Sequence, residues 1–586
     1  MRNAKIVCTI GPASDSRETL QELAEAGMAV ARMNASHGSP EHRRTVIDRI
    51  RAVDEAMDKP VAAMHDIPGP EVRTAPMEGS IHLETGSTIR FVEGTEATPE
   101  EVGVSHSIAA VEPGDRILLD DGRIGTTVQS VEGDTIAARV ENGGKLSGRK
   151  GVNVPGVELG LPTITEQDQR ELEVAAEKEV DFVASSFVRD GEFVHEISRA
   201  LEELGAEIPV IAKVERDVAV ENIDSIIDAA YGVMVARGDL GVELPLENVP
   251  MIQKRIIRKC QEAGVPVITA TEMLDSMVTA RRPTRAEASD VANAVLDGTD
   301  AVMLSGETAI GDHPSRVVET MAHIVSDVEN SPEYDEHLEQ RVPDADETRT
   351  DALARSARFL ARDIDASAIV AASESGYTAL KTAKFRPPIP LVAATPSEEV
   401  RRRLGLSWGI TPEFAPYTSE GADAVINNAV QAALETGAAE SGDTVVVLSG
   451  MMTELDEVNS SNMLKIHVAA ETVGSGRSVV DGVVSGPLHW TDDGDLSDAP
   501  EGSILGVPEG FDGEFVGDTG KIGGIVDRHP GVTGYASILA RELDIPMVAD
   551  ADVAEETTEG DVVTLDAERG IVYDGAVREG AREDTE

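Results

Sequence analysis

Cysteine is nearly absent from this 586-residue chain: Cys8 and Cys260 are its only two. Two cysteines cannot build a disulfide framework, so a reducing, cytoplasmic setting is expected. Long apolar runs are also missing; none approaches the roughly 18–20 residues of a membrane helix. Met1 to Ile10 lacks the basic, apolar and cleavage regions of a secretory signal. Positive charge is the third shortage. Lysine and arginine total 51, only 12 of them lysine, against 107 acidic residues, for a net charge of −56. The acidic residues run along the whole chain, so the entire surface reads as anionic. Such a surface repels nucleic acid and anionic lipid, and neither is an expected partner. It also repels itself, a cost that dissolved salt screens. Adaptation to a very salty interior is therefore expected. An ordinary acidic enzyme is the plainer alternative, but net charges of magnitude roughly 2–8 are the design range for a small domain.

Apolar residues make up 41% of the chain, enough for real cores. The length exceeds the roughly 250–300 residues at which one core stops growing, so several domains are expected. Eight near-continuous apolar runs stand out: Lys5–Ile10, Ala29–Asn34, Val61–Asp66, Phe182–Ser186, Val210–Val214, Gly232–Ala236, Val267–Ala270 and Ala301–Leu304. Strands buried on both faces have this texture. Amphipathic helices separate them, one opened by Ser39-Pro40 and another by a Thr284/Glu287 capping box. The alternation predicts an α/β protein built on a (β/α)8 TIM barrel. The barrel would occupy residues 1–67 and 156–335. Residues 68–155 read differently, as short alternating segments such as Ile89–Val92, Arg116–Leu119 and Thr135–Val140 with Asp121-Gly122 and Gly133-Asp134 turns. They predict a small inserted β-barrel that leaves the barrel at its active-site end and serves as a lid. Ser331 to Thr350 reads as a linker. Residues 345–473 read as an open α/β domain, Gly474 to Ser478 as a second junction, and residues 474–586 as an extra Gly- and Asp-rich β/α domain.

The expected strand ends carry the chemistry. Arg32, Asn34 and Ser36 alternate and share one face, which a branched apolar barrel interior does not explain. Arg32 suits an anionic oxygen; Asn34 and Ser36 offer oxygen to a cation, and Asp66 closes the third run. Lys213 and Glu215 also face together, although as a pair they read equally well as a structural ion pair. Asp239 and Thr271 follow the sixth and seventh runs. Two carboxylates with open positions suit Mg²⁺ held partly by substrate phosphate. An arginine, a lysine and a metal about one point form a clamp for phosphoryl transfer.

These residues lie in segments that resemble the pyruvate kinase family over approximately Met1 to Thr472: Lys5 to Pro12, Arg32 to Gly38, Asp66 to Thr74, Lys150 to Asn153, and Arg282 to Asp312. The resemblance implies that phosphoenolpyruvate and ADP give pyruvate and ATP, in a homotetramer. It implies that Arg32 binds the substrate phosphate and Lys213 stabilises the enolate. Glu215 and Asp239 would hold Mg²⁺ or Mn²⁺. The amides of Gly238 and Asp239 would bind the carboxylate, and Thr271 would sit by the methyl carbon. Arg73 and Lys150 would reach the nucleotide phosphates. Asn34, Ser36, Asp66 and the Ile67 carbonyl would hold K⁺. Ile67 and Pro68 replace the family's usual Thr-Lys, and Glu71 resembles the K⁺-dependent version of the segment.

The loop Ser373, Ser375 and Gly376 resembles one that takes allosteric sugar phosphates in some members, but Tyr377 replaces the arginine common there, and a plain capping turn explains the loop as well. The last domain resembles the swivelling phosphohistidine domain of phosphoenolpyruvate-utilising enzymes, through Gly523 to Val526 and Ala536 to Pro546. Tyr535 stands where that family has its histidine, so the domain reads as catalytically silent. A dikinase-type phosphotransferase and a metabolite-sensing pseudokinase are the competing readings. The missing histidine counts against the first and the intact strand-end set against the second.

Overall fold

Eight short runs rich in Val, Ile, Ala and Met form the strands β1 (Lys5–Ile10), β2 (Val30–Asn34), β3 (Ala62–Ile67), β4 (Phe182–Ser185), β5 (Val210–Val214), β6 (Gly232–Ala236), β7 (Val267–Ala270) and β8 (Ala301–Leu304). They belong to a computed structural model that describes residues 2–416, 422–450, 461–470, 472–511, 513–554 and 557–577. Each strand pairs in parallel with its sequence neighbours, and β8 returns to β1, closing the barrel. The strands have two buried faces, and their period of two divides the work. Val7, Val30, Met64, Phe182, Ile211, Met234 and Ile268 fill the interior. Ile6, Ala31, Ala63, Val183 and Val235 pack outward against the helices. The helices begin as their cap residues dictate: Ser39 accepts from the His42 amide at 3.3 Å, and Thr284 and Glu287 form the reciprocal capping box.

After β3 the chain enters an all-β insert. Its main sheet runs Val72–Arg73, Gly151–Asn153, Arg116–Leu119, Ile124–Glu132, Thr135–Asn142, Thr88–Glu93 and Glu101–Val104. A bridge between Thr74 and Val104 draws the two edges together, and Ser80–Leu83 pairs separately with Gly144–Ser147. The insert has its own core around Phe91, Ile117 and Val140.

In the second part of the chain, a five-stranded sheet orders Ile410–Phe414, Leu391–Thr395, Ala368–Ala372, Asp443–Ser449 and Met463–Ala469, the last pair antiparallel. A second closed barrel follows, of seven strands between Thr472–Val480 and Ile571–Asp574, with the helix Tyr535–Leu543 packed on it through Ala536 and Ala540.

Two sequence expectations are corrected. Ser331 to Thr350 is not a plain linker, because Pro332–Gln340 is a helix capped by Ser331. Gly474 to Ser478 is no junction but the middle of a strand, Thr472–Val480. Within the α/β segment, residues 383–386 and 398–412 cluster with the first barrel; Leu406 joins the barrel interior. Among the described residues, no helix is long and apolar enough to cross a membrane.

Candidate active site

Arg32 leaves β2 beside two acceptors. Its Nε and Nη2 both reach Asp66 Oδ2 at 2.6 Å, and Nη1 donates to Thr9 Oγ1 at 2.8 Å. Cross-strand register makes this possible, since Thr9 lies opposite Arg32 on β1. Asp66 is 1% exposed and its other oxygen lies 3.3 Å from the Lys213 amine. Burial raises the Asp66 carboxyl, but Arg32 and Lys213 outweigh it and hold the group below its ordinary value. Lys213 leaves β5, donates to Ser186 Oγ at 2.7 Å and sits 2.9 Å from Glu215 Oε1. Burial disfavours its charge, yet Asp66 and Glu215 raise its pKa above that of free lysine, so it stays an ammonium. Glu215 is fixed by the Phe187 amide, which donates to its Oε2 at 2.8 Å. Arg32, Asp66, Lys213 and Glu215 thus form one buried, alternately charged chain across β2, β3 and β5.

Asn34 and Ser36 stand at the same rim. Asn34 lies opposite Asp66 in register, and its Oδ1 accepts from the Ser36 amide at 3.0 Å. The Ile67 carbonyl accepts from Ser186 Oγ at 2.9 Å. Amide and carbonyl oxygens carry two lone pairs, so each keeps one for a hard cation. The donor set therefore fits K⁺. The divalent pair also fits: burial, then the charge of Glu215, pushes the Asp239 carboxyl up to about 7. A cation shared by the two carboxylates relieves that repulsion. Among the described residues no group of three or more His, Cys, Asp or Glu is arranged for a metal.

Gly238 and Asp239 open the short helix Arg237–Glu243 directly after β6. A Cβ on Gly238 would meet Thr271 Cγ2 at 2.7 Å, so only glycine permits this approach of β6 to β7. Thr271 holds φ at +79°. Arg237 restrains this strained turn by donating to the carbonyls of Ala270 at 3.0 Å and Thr271 at 2.8 Å, while Asp290 pairs with its far side at 2.6 Å.

Arg73 ends the insert strand Val72–Arg73, and Lys150 directly precedes Gly151, which pairs with Arg73. Arg73 pairs with Glu71, and Lys150 with Asp120 at 2.7 Å. Among the described residues no hydrogen bond or ion pair joins either to Arg32 or Lys213. Between insert and barrel lies a cleft lined by Glu71, Asp121, Gly151, Asn153, Asp239 and Glu243 among others. In the second part of the chain, Ser373 Oγ accepts from the Thr378 amide at 3.2 Å and Gly376 holds φ at +82°, so the loop caps the helix Tyr377–Lys384. Tyr535 is 46% exposed at the start of its helix, and His529 points from the preceding loop.

Thr9, Ser186, Arg237 and Asp290 were not foreseen. Ser186 follows a strand end as the foreseen residues do, and Thr9 shares register with Arg32, so both had a signal. The Arg237–Asp290 pair spans 53 residues and had none.

Charged and polar groups gathered at the carboxyl ends of parallel barrel strands, below an inserted β domain, define a (β/α)8-barrel enzyme. The pyruvate kinase barrel domain pattern matches residues 1–318, the pyruvate kinase alpha/beta domain pattern residues 351–467, and that of the mobile domain of PEP-utilising enzymes residues 499–570. The pyruvate kinases of Staphylococcus aureus and Staphylococcus epidermidis are each 42% identical to it, over 98% of this chain and 99% of theirs. The chain belongs to the pyruvate kinase family.

Proposed function

We propose that the chain transfers the phosphoryl group of phosphoenolpyruvate to ADP, forming pyruvate and ATP in the last step of glycolysis. The observation that carries this is the buried Arg32–Asp66–Lys213–Glu215 chain at the strand ends, in a protein of this family. Arg32 is already oriented by Asp66 and Thr9, so it meets the substrate phosphate without reorganising. The Lys213 ammonium offsets charge that develops on the enolate oxygen as the P–O bond breaks. The Gly238 and Asp239 amides take the carboxylate, and the methyl carbon gains its proton beside Thr271. Arg73 and Lys150 meet the nucleotide phosphates as the insert swings toward the barrel. Glu215 and Asp239 would hold Mg²⁺ or Mn²⁺, and Asn34, Ser36, Asp66 and the Ile67 carbonyl K⁺; both ions neutralise phosphate oxygens.

A homotetramer in the cytoplasm of a salt-rich cell is the setting proposed with this reaction. The charge of −56 supports the salt adaptation. Hydroxyls and amides at Ser373, Ser375 and Gly376 suit a phosphate-bearing effector, and the last domain serves stability or regulation without a phosphorylated histidine. The ion requirement tests the site. Pyruvate and ATP should form with Mg²⁺ and KCl, and activity should collapse when a large inert cation replaces K⁺ at equal ionic strength. Full activity there would remove K⁺ from the account.

A further inference from the structure

The insert is joined to the barrel by two connections, and one buried carboxylate holds both. Asp168 is fully buried at the start of the helix Glu166–Glu177. Its Oδ1 accepts from the Gly69 amide at 2.9 Å, on the chain leaving β3. Its Oδ2 accepts from Thr165, from the amide at 2.9 Å and from Oγ1 at 2.6 Å, on the chain returning from the insert. The carboxylate therefore does more than close the helix's capping box; it ties together the outgoing and returning segments at the barrel surface.

Gly69 is locked at this point. Its φ is +72°, and an added Cβ would lie 2.7 Å from the Ser186 carbonyl. Beyond the tie, regular structure stops on both connections. On the return, residues 154–164 have no helix or strand, and Gly156 and Gly160 sit at positive φ with open space around them. On the way out, residues 70–71 separate Gly69 from the first insert strand, Val72–Arg73. Two short irregular connections leaving one pinned point make a hinge; on the return, Val157, Leu159 and Leu161 pack against the insert core, and Arg216 of the barrel donates to the Val157 carbonyl at 3.1 Å. Arg73 and Lys150 ride on its moving side, Lys150 one residue before Gly151, the strand partner of Arg73.

We propose that Asp168 is the pin of this hinge: a positioning residue that fixes where the insert swings, and so where Arg73 and Lys150 arrive. This rests on the reaction proposed above, with the insert as its lid. A lid pivoting on a fixed point excludes water from the phosphoryl group; one with a loose pivot admits it. In Asp168→Asn the side chain keeps its size but loses one acceptor, so Gly69 and Thr165 compete for the oxygen that remains.

The test uses the full chain and two readouts. The first is amide hydrogen exchange at Gly69, Glu71, Val72 and the non-proline residues of 154–164, compared with β5 and β6. The second is ATP formed per pyruvate formed, with kcat and the KM for ADP and for phosphoenolpyruvate measured separately. In Asp168→Asn, exchange at Gly69 should rise about tenfold or more as its hydrogen bond is lost, with the barrel strands unchanged. ATP per pyruvate should fall below one as phosphoenolpyruvate is hydrolysed. The KM for ADP should rise and kcat fall, together lowering kcat/KM for ADP by about a hundredfold, while the KM for phosphoenolpyruvate stays nearly constant. Unchanged exchange at the two segments, or wild-type coupling and wild-type KM for ADP, would overturn the proposal. If Asp168→Asn does not fold, Thr165→Ala removes one of the three bonds; it must shift the same readouts in the same direction, and a folded variant with wild-type values overturns it. If the wild-type chain makes no ATP, the reaction is wrong, and exchange at 70–72 and 154–164 alone decides whether Asp168 pins the insert.

Discussion

Lys213 holds three partners at once: Asp66, Ser186 and Glu215. Its removal leaves two buried carboxylates facing each other. Lys213→Met is therefore expected to lose activity and also stability, the latter by about 3 kcal/mol as a broken buried pair; chemical denaturation measures it, and an unchanged midpoint would show that the charges do not depend on each other. Lys5 provides a pH prediction away from the site. Burial pushes its amine down to about 8 from an ordinary 10.5, although it donates to the Ile410 carbonyl at 2.7 Å. Between those values the unfolded chain holds more protons, so the Lys5 penalty is full below pH 8 and disappears as pH rises toward 10.5. The Tm of wild type should thus gain on that of Lys5→Met between pH 7 and pH 10; a constant difference would show that the folded amine titrates normally. At this scale the sequence revealed the groups that project from strand ends, because period-two spacing and apolar flanks expose them. It could not reveal Arg237 and Asp290, whose union depends on how two distant helices pack.

Among the elements, the helix Glu166–Glu177 does the most positioning. Besides Asp168, it carries Glu171, which pairs with Arg43 and lies 3.0 Å from His65 Nε2; Arg43 in turn donates to the His37 carbonyl at 2.6 Å. The loop bearing Ser36 is thereby anchored to the barrel wall. Glu171→Gln should raise the K⁺ concentration needed for half-maximal activity several-fold more than it raises the KM for phosphoenolpyruvate; an equal effect on both would indicate general damage. The eight barrel strands were legible because burial on both faces leaves unbroken apolar runs. The strand Thr472–Val480 was not, because its glycines imitate a linker. They are packing glycines instead: a Cβ on Gly476 would meet the Ala549 carbonyl at 2.6 Å. The helix Pro332–Gln340 was hidden because Tyr334 is its one buried residue, too little for a periodic signal. Residues 398–412 join the barrel through Arg402, 2.8 Å from Asp181, and through Leu406, long-range contacts that no local pattern records.

For the whole molecule, the dominant fact is a charge of −56 spread over every part. The screening length falls from about 30 Å at 0.01 M salt to about 3 Å at 1 M, so self-repulsion should weaken steeply. The Tm is expected to rise over that range in KCl and equally with a large inert cation, whereas activity should need K⁺. A flat Tm would end the salt-adaptation account, and a parallel response of activity to both salts would end the K⁺ site. The last domain, proposed above to work without a phosphorylated histidine, should yield no acid-labile phosphoenzyme when the chain is incubated with labelled phosphoenolpyruvate. The most direct test of the central claim is the product balance from phosphoenolpyruvate and ADP with Mg²⁺ in molar KCl, for the native chain and for Lys213→Ala. Native chain should form pyruvate and ATP in equal amounts, and the variant should be slower by about 10²–10³-fold or more. No ATP from the native chain, or an undiminished rate in the variant, would contradict it.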